Sequence, residues 1–146
     1  MVQKKIKYST KKHLLSKAYK GDSGFDIKAN IPKNLTLKAG NIEKIPTGIR
    51  LDLPKDIEGQ IRSRSGLAAN HGITVLNSPG TIDSGYKGEV QIILINHGKQ
   101  DYEIKDGDKI AQIVFSKIIS IEMTKVELID MNSRFQIDLK SSILVV

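Results

Sequence analysis

Apolar side chains recur at alternate positions over short stretches along most of the chain. KIKY (5–8), GFDIKA (24–29), NLTLKA (34–39), TGIRLDL (47–53), GQIRSRS (59–65), GITVL (72–76), GEVQIILIN (88–96), YEI (102–104) and KIAQIVFSKI (109–118) are runs of strand length. Turn formers separate them: Ile31-Pro32, Lys38-Ala39-Gly40, Ile45-Pro46, Leu53-Pro54-Lys55-Asp56, Ser78-Pro79-Gly80 and Lys105-Asp106-Gly107-Asp108. No segment sustains a stripe of period 3.6. One short helix is predicted, SGLAANHG (65–72), with Ser65 as its N-cap and Gly72 as its stop. Many short strands at even spacing predict an all-β sandwich or barrel. The chain shows no internal repeat and no low-complexity tract.

The run at 110–119 is apolar on both faces. Ile110, Val114 and Ile118 fall on one side, and Ala111, Ile113, Phe115 and Ile119 on the other. VQIILI (90–95) is similar. A strand with one wet face has no need of this, so the pattern predicts subunit association.

With 146 residues the chain makes one domain with a real core. It has no cysteine, which excludes a disulfide framework and thiolate metal sites. No run reaches the length of a membrane span and the N-terminus carries no apolar leader, so a cytoplasmic protein without a membrane partner is expected. The net charge of +7 points towards nucleic acid until its position is noted. Residues 1–20 hold seven lysines and no acid; taking those seven from the 23 basic side chains leaves 16, against 16 acidic ones. The body is neutral, and few aromatics accompany the terminal lysines. A solvated lysine-rich end is expected rather than specific nucleic-acid binding.

Four stretches carry candidate chemistry. In NSPGTIDSGYKGE (77–89), Asp83 and Tyr86 flank Ser84-Gly85, a pair that suits a tight β-hairpin. Across such a ladder the two side chains face each other, with Thr81 and Gly88 on the same side and open space at Gly88. In GQIRSRSGLA (59–68), a strand carrying Arg62 and Arg64 runs into a helix start at Ser65-Gly66. Free N–H groups, a hydroxyl and a guanidinium make an anion site; a capped helix with exposed arginines is the plainer alternative. In GDSGFDI (21–27), Asp22 and Asp26 border a glycine turn. Carboxylates beside phosphates often hold Mg²⁺, and Asp-Ser-Gly is equally a common turn. In GDKIAQIV (107–114), Gln112 is polar among apolar neighbours and must find partners. His13, His71 and His97 show no ligand spacing and are expected on loops or the surface.

Taken in this order, the four stretches resemble the motifs of the trimeric dUTPase family: GDSGFDI the first, RSRSGLA the second, NSPGTIDSGYKGE the third and GDKIAQIV the fourth. The resemblance implies a homotrimer of jelly-roll, barrel-like subunits with one short helix and three active sites shared between chains. It implies hydrolysis of dUTP to dUMP and pyrophosphate with Mg²⁺ on the phosphates. Asp83 matches the carboxylate that orients and deprotonates the attacking water. Tyr86 matches the ring on the deoxyribose, where a ribose 2′-hydroxyl would collide. Asn77 matches the amide that pairs with uracil, beside main-chain groups at Gly80 and Ile82. Arg64, Ser65, Gly66 and Gln112 match the phosphate contacts, and Asp26 the acid near the metal.

The resemblance spans residues 21–119, roughly the whole body of the chain. Residues 1–130 read as the dUTPase-like β domain and 131–146 as a C-terminal arm atypical for the family. The family's arm is a glycine-rich lid with an arginine and a phenylalanine; here no glycine follows Gly107. Arg134 and Phe135 match the arginine and the aromatic in type but not in spacing. Either the tail is a diverged lid in which Arg134 reaches the phosphates, or the ending is foreign to the family, as after a reading-frame slip. Both readings predict slowed turnover with an intact uracil pocket. Two further alternatives follow: a catalytically impaired dUTP-binding or interaction protein, and an enzyme like dCTP deaminase, which shares the fold. The aspartate and tyrosine of GTIDSGYKGE favour the hydrolase.

Overall fold

The computed structural model describes residues 4–127; the arm at 131–146, with Arg134, lies outside the described residues. Ten strands and one helix follow in chain order. They are β1 (Lys7–Ser9), β2 (Phe25–Lys28), β3 (Leu35–Leu37), β4 (Ile42–Asp52), β5 (Ile57–Arg62), α1 (Ser65–His71), β6 (Ile73–Val75), β7 (Gly80–Ile82), β8 (Val90–Asn96), β9 (Tyr102–Ile104) and β10 (Lys109–Lys117). One four-stranded sheet has the order β1-β4-β8-β6, a second β2-β10-β5-β7, and β3 pairs with β9 alone. All pairings are antiparallel.

Alternation does what the sequence predicts. In β8, Val90, Ile92, Leu94 and Asn96 are buried, and in β4 so are Ile45, Thr47, Ile49 and Leu51. Together with Ile27, Ile61 and Ile113 from the other large sheet, the apolar members of these sets belong to a single core. Fully burying one such side chain is worth about 1.5–3 kcal/mol. Asn96 is the polar exception in that row, and its amide is used completely. Nδ2 donates to the carbonyls of Leu37 (3.0 Å) and Gln100 (2.9 Å), and Oδ1 accepts from the Gly98 N–H at 2.8 Å.

The structure departs from the sequence expectation at particular places. β4 begins at Ile42, not Thr47, and passes through Pro46. It tolerates the proline because its register with β8 slips between Pro46 and Ile49. In that bulge Gly48 takes a φ of 70°, a left-handed conformation open to glycine. β10 also slips register, between Lys109 and Ala111, so Ile110 and Ala111 are both buried and its faces do not divide as strict alternation predicts. Ile118 and Ile119 fall beyond its end and are exposed, as are Ile121 and Met123. The N-cap of α1 is Arg64, with no side-chain capping bond, and Ser65 is the first helical residue. Gly72 does end the helix, at a φ of 69°. Among the described residues no helix is long and apolar enough to cross a membrane.

The N-terminal lysines are partly neutralised against the body. Lys4 pairs with Asp56 and Lys12 with Asp106, while the Lys17 ammonium lies 4.5 Å from the centre of the Phe25 ring.

Candidate functional site

Three of the four predicted motifs, the first, second and fourth, converge on a cleft of about 360 Å³ between β2, β10 and the start of α1. Its floor follows from register. In β10, Gln112 stands opposite Asp26 of β2 on one side and Arg62 of β5 on the other. The central strand therefore carries the fourth motif between the first and the second. Gln112 donates from Nε2 to the Ser63 carbonyl at 3.0 Å. Its Oε1 occupies the space that a side chain at residue 24 would need, so Gly24 serves the glutamine rather than a turn alone. The expected partner for this half-buried amide is thus found.

Asp26 is the most tightly engaged group in this cleft. Arg64 Nε reaches its Oδ1 at 3.1 Å and Lys109 Nζ its Oδ2 at 2.7 Å, while the carboxylate is only 12% exposed. A second contact closes the triad: Arg64 donates from its NH1 group to the carbonyl of Lys109 at 3.1 Å. Lys109 therefore holds both partners, one with its ammonium and one with its backbone. Sequence reasoning did not single out Lys109. It sits directly after the Gly-Asp turn of the fourth motif, but nothing local indicates a partner 83 positions away.

Arg62 and Arg64 part company. β5 ends at Arg62, whose guanidinium is exposed and donates to Gln60, while Arg64 turns inward to Asp26. Beside it the first turn of α1 offers backbone N–H groups that the helix cannot pair. A methyl group built on Gly66 would meet nothing within 4 Å, so neither packing nor backbone conformation requires a glycine there. Arg64, Ser65 and Gly66 all line the cleft, which places a guanidinium beside a helix start, the ingredients of an anion site.

The third motif builds a separate cleft of about 450 Å³, walled by Thr81, Ile82, Asp83, Tyr86 and Glu89 with Lys44 and Ile93. The tight turn is real: the Tyr86 N–H donates to the Asp83 carbonyl at 3.0 Å around Ser84-Gly85. The hairpin ladder is not. β7 pairs with β5, whereas β8 pairs with β4 and β6, so the turn passes from one sheet to the other. Nor is there open space at Gly88, because the Tyr86 phenol fills it. Asp83 is exposed at the rim, and its carboxylate makes no hydrogen bond or ion pair among the described residues. Asn77 and the buried Gly80 stand at the opposite end of β7, with the Asn77 amide against Gly80.

The two clefts lie at opposite ends of one ladder. Gly80 stands opposite Ile61 and Ile82 opposite Gly59, so moving along β7 towards Asp83 means moving along β5 away from Arg64. At about 3.3 Å per residue, the five residues from Gly59 to Arg64 span about 17 Å. Within one chain Asp83 and Arg64 line different clefts.

A model of the dUTPase family matches residues 10–143, almost the whole chain. The chain belongs to the dUTPase family. The deoxyuridine 5′-triphosphate nucleotidohydrolase of Neorickettsia sennetsu is 51% identical over 110 residues, covering 75% of this chain and 74% of that one. The corresponding protein of Clostridium acetobutylicum is 46% identical over 135 residues, 92% of each chain. Among solved structures, the dUTPase of phage phi11 of S. aureus superposes with a TM-score of 0.77 at 22% identity, over 88% of this chain and 99% of that one. A Staphylococcus bacteriophage 80alpha dUTPase, solved with dUpNHpp, gives 0.76 at 20% identity, over 86% and 98%. The likeness to these phage structures is one of fold.

For magnesium, the donor set can be tested directly. Among the described residues no group of three histidine, aspartate or glutamate side chains comes together. Asp22 and Asp26 share the first cleft, and both oxygens of Asp26 already face cations. Such a set does not cage a bare ion. It fits a magnesium ion that brings phosphate oxygens and water as its other ligands.

Proposed function

We propose that the chain hydrolyses dUTP to dUMP and pyrophosphate, keeping uracil out of DNA, and that it works in the cytoplasm as a homotrimer of jelly-roll subunits with shared sites. The observation that supports this reading is the split between its clefts. The phosphate cleft is built within one chain, while the carboxylate suited to activate water stands about 17 Å along the ladder, exposed and without a partner among the described residues. Joining the cleft of one chain to the Asp83 turn of another would complete a site. The second apolar surface of β8 and the exposed Ile119, Ile121 and Met123 supply apolar area for such contacts.

In this reading Asp83 orients a water and takes its proton as the oxygen attacks the α-phosphorus, a role worth roughly 10²–10⁴ in rate. Arg64, the N–H groups of Ser65 and Gly66, and Gln112 receive the departing pyrophosphate. Asn77 and the main chain at Gly80 and Ile82 bind uracil, and Tyr86 supports the deoxyribose. Asp26 would hold magnesium together with the phosphates, and the ion supplies charge neutralisation of the leaving group.

Pyrophosphate release from dUTP with Mg²⁺, set against dCTP, dTTP and UTP, tests the proposal. Release from dUTP alone is the expected result. Ammonia release from dCTP would identify a deaminase instead, and dUTP binding without release would identify a catalytically impaired protein.

A further inference from the structure

Tyr86 makes its side-chain hydrogen bond within its own loop. It is 45% exposed and folded back on its own loop, where its hydroxyl donates to the Glu89 carbonyl at 2.9 Å. Its ring covers Gly88 so closely that a Cβ on that residue would lie 2.5 Å from the phenol oxygen and 2.6 Å from Cζ. Left-handed φ values occur at Gly40, Gly48, Gly72 and Gly107, and Gly88 is not among them. The backbone therefore does not demand glycine at 88; the ring does.

Glu89 is fixed in its turn. Its Oε1 accepts the N–H groups of Thr47 (3.1 Å) and Gly48 (2.8 Å) in the bulge of β4. The next residue, Val90, accepts the Thr47 hydroxyl at 2.5 Å and opens β8. The point that holds the phenol is thus tied to a buried bulge between two long strands, not to the exposed turn that carries the ring.

We propose that Gly88 and Glu89 form the seat that sets the position of Tyr86, and that this seat determines how strictly a ribose 2′-hydroxyl is refused. Gly88 acts by having no side chain, and Glu89 is a positioning residue whose carboxylate locks the backbone that receives the phenol. The proposal rests on the reading of Tyr86 as the sugar platform. Its physical basis is that a steric filter is only as selective as its wall is stiff. A hydroxyl is a small addition, and a ring free to swing outward would admit it.

The experiment is to measure kcat and KM for dUTP and UTP in Gly88→Ala, Glu89→Ala, Glu89→Gln, Tyr86→Phe and Tyr86→Ala, with a thermal midpoint for each. In Gly88→Ala the ratio of kcat/KM for UTP over dUTP should rise about tenfold, the order expected for a contact of methylene size. The change should appear chiefly in KM, because Asp83 is untouched. Its midpoint should stay close to the wild type, since the added methyl displaces the end of a rotatable side chain. Glu89→Ala should raise the ratio likewise, Glu89→Gln, which keeps the acceptor oxygen, should restore most of the discrimination, and Tyr86→Phe should fall between. If Tyr86→Ala leaves the ratio unchanged, the platform reading itself is wrong. If Tyr86→Ala changes the ratio while Gly88→Ala and Glu89→Ala do not, the seat is overturned. Equal loss on both nucleotides in the seat variants also overturns it. Should Gly88→Ala not fold, the contrast between Glu89→Ala and Glu89→Gln gives the same decision.

Discussion

The two clefts of this chain are built in opposite ways. Around Asp26 the charged groups pair internally: Arg64 and Lys109 hold its carboxylate, Arg64 also donates to the Lys109 carbonyl, and beside them Gln112 donates to the carbonyl of Ser63. Around Asp83 the carboxylate stands exposed, and the polar bonds serve the turn and the tyrosine instead. The first cleft is organised before any ligand arrives, as a group of phosphate donors must be if they are not to reorganise during reaction. The second carries a reactive group without a setting. On the proposed reading another chain supplies its missing wall, and this difference is the physical argument for that proposal.

The contrast can be broken at several points. The largest effect belongs to Asp83→Asn, which keeps the shape of the side chain but removes the base. Turnover should fall by roughly 10²–10⁴ with dUTP binding retained. Near-normal hydrolysis by this variant would remove Asp83 from the mechanism. Next comes Arg64→Ala, which takes a guanidinium from the phosphates and leaves the shielded Asp26 to Lys109 alone. A loss in kcat of about 10² is expected, and Arg64→Lys should not repair it, because the donors of an ammonium radiate from one nitrogen and cannot span Asp26 and the Lys109 carbonyl as the planar fork does. Full rescue by lysine would show that only the charge matters there.

The smallest effect concerns the N-terminal segment. Lys12 and then His13, both hydrogen-bonded to Asp106, lower its carboxyl to about 2 from the ordinary 3.8. A carboxyl depressed on folding stabilises the protein fully above its unfolded value and loses that contribution as pH falls through the folded one. Thermal midpoints should therefore decline between about pH 4 and pH 2, and Asp106→Asn should lower the midpoint slightly at neutral pH and flatten that limb. Asp52 and Asp56, lowered by Lys87 and Lys4 respectively, keep the limb from vanishing. A variant with the full wild-type slope would show that the Asp106 contacts contribute nothing.

Much of this is legible in the sequence, and the reasons are local. Val90, Ile92 and Leu94 state their face by alternation, and Gly72 marks the helix end by the conformation only glycine takes readily. Asp83-Ser84-Gly85-Tyr86 announces its turn through its residue types. What escapes is partnership. A period of two says which way a side chain points, not which strand lies beside it, so β7 reads as half of a hairpin although it pairs with β5. The same holds in the site. Gly24 reads as a turn residue, yet its neighbour is Gln112; Lys109 carries no local sign of a role, yet it secures Asp26 and Arg64. Each of these contacts joins residues far apart in the chain, where no propensity reaches.

The claim that a working site needs two chains is tested most directly by mixing them. Asp83→Asn and Arg64→Ala chains, each nearly inactive alone, would be denatured together, refolded and assayed for pyrophosphate release from dUTP. If the Asp83 turn of one chain serves the phosphate cleft of another, mixed assemblies contain intact pairings and activity returns well above that of either variant. If each chain holds a complete site, every site in the mixture carries a lesion, and activity that stays at the level of the separate variants would contradict the account.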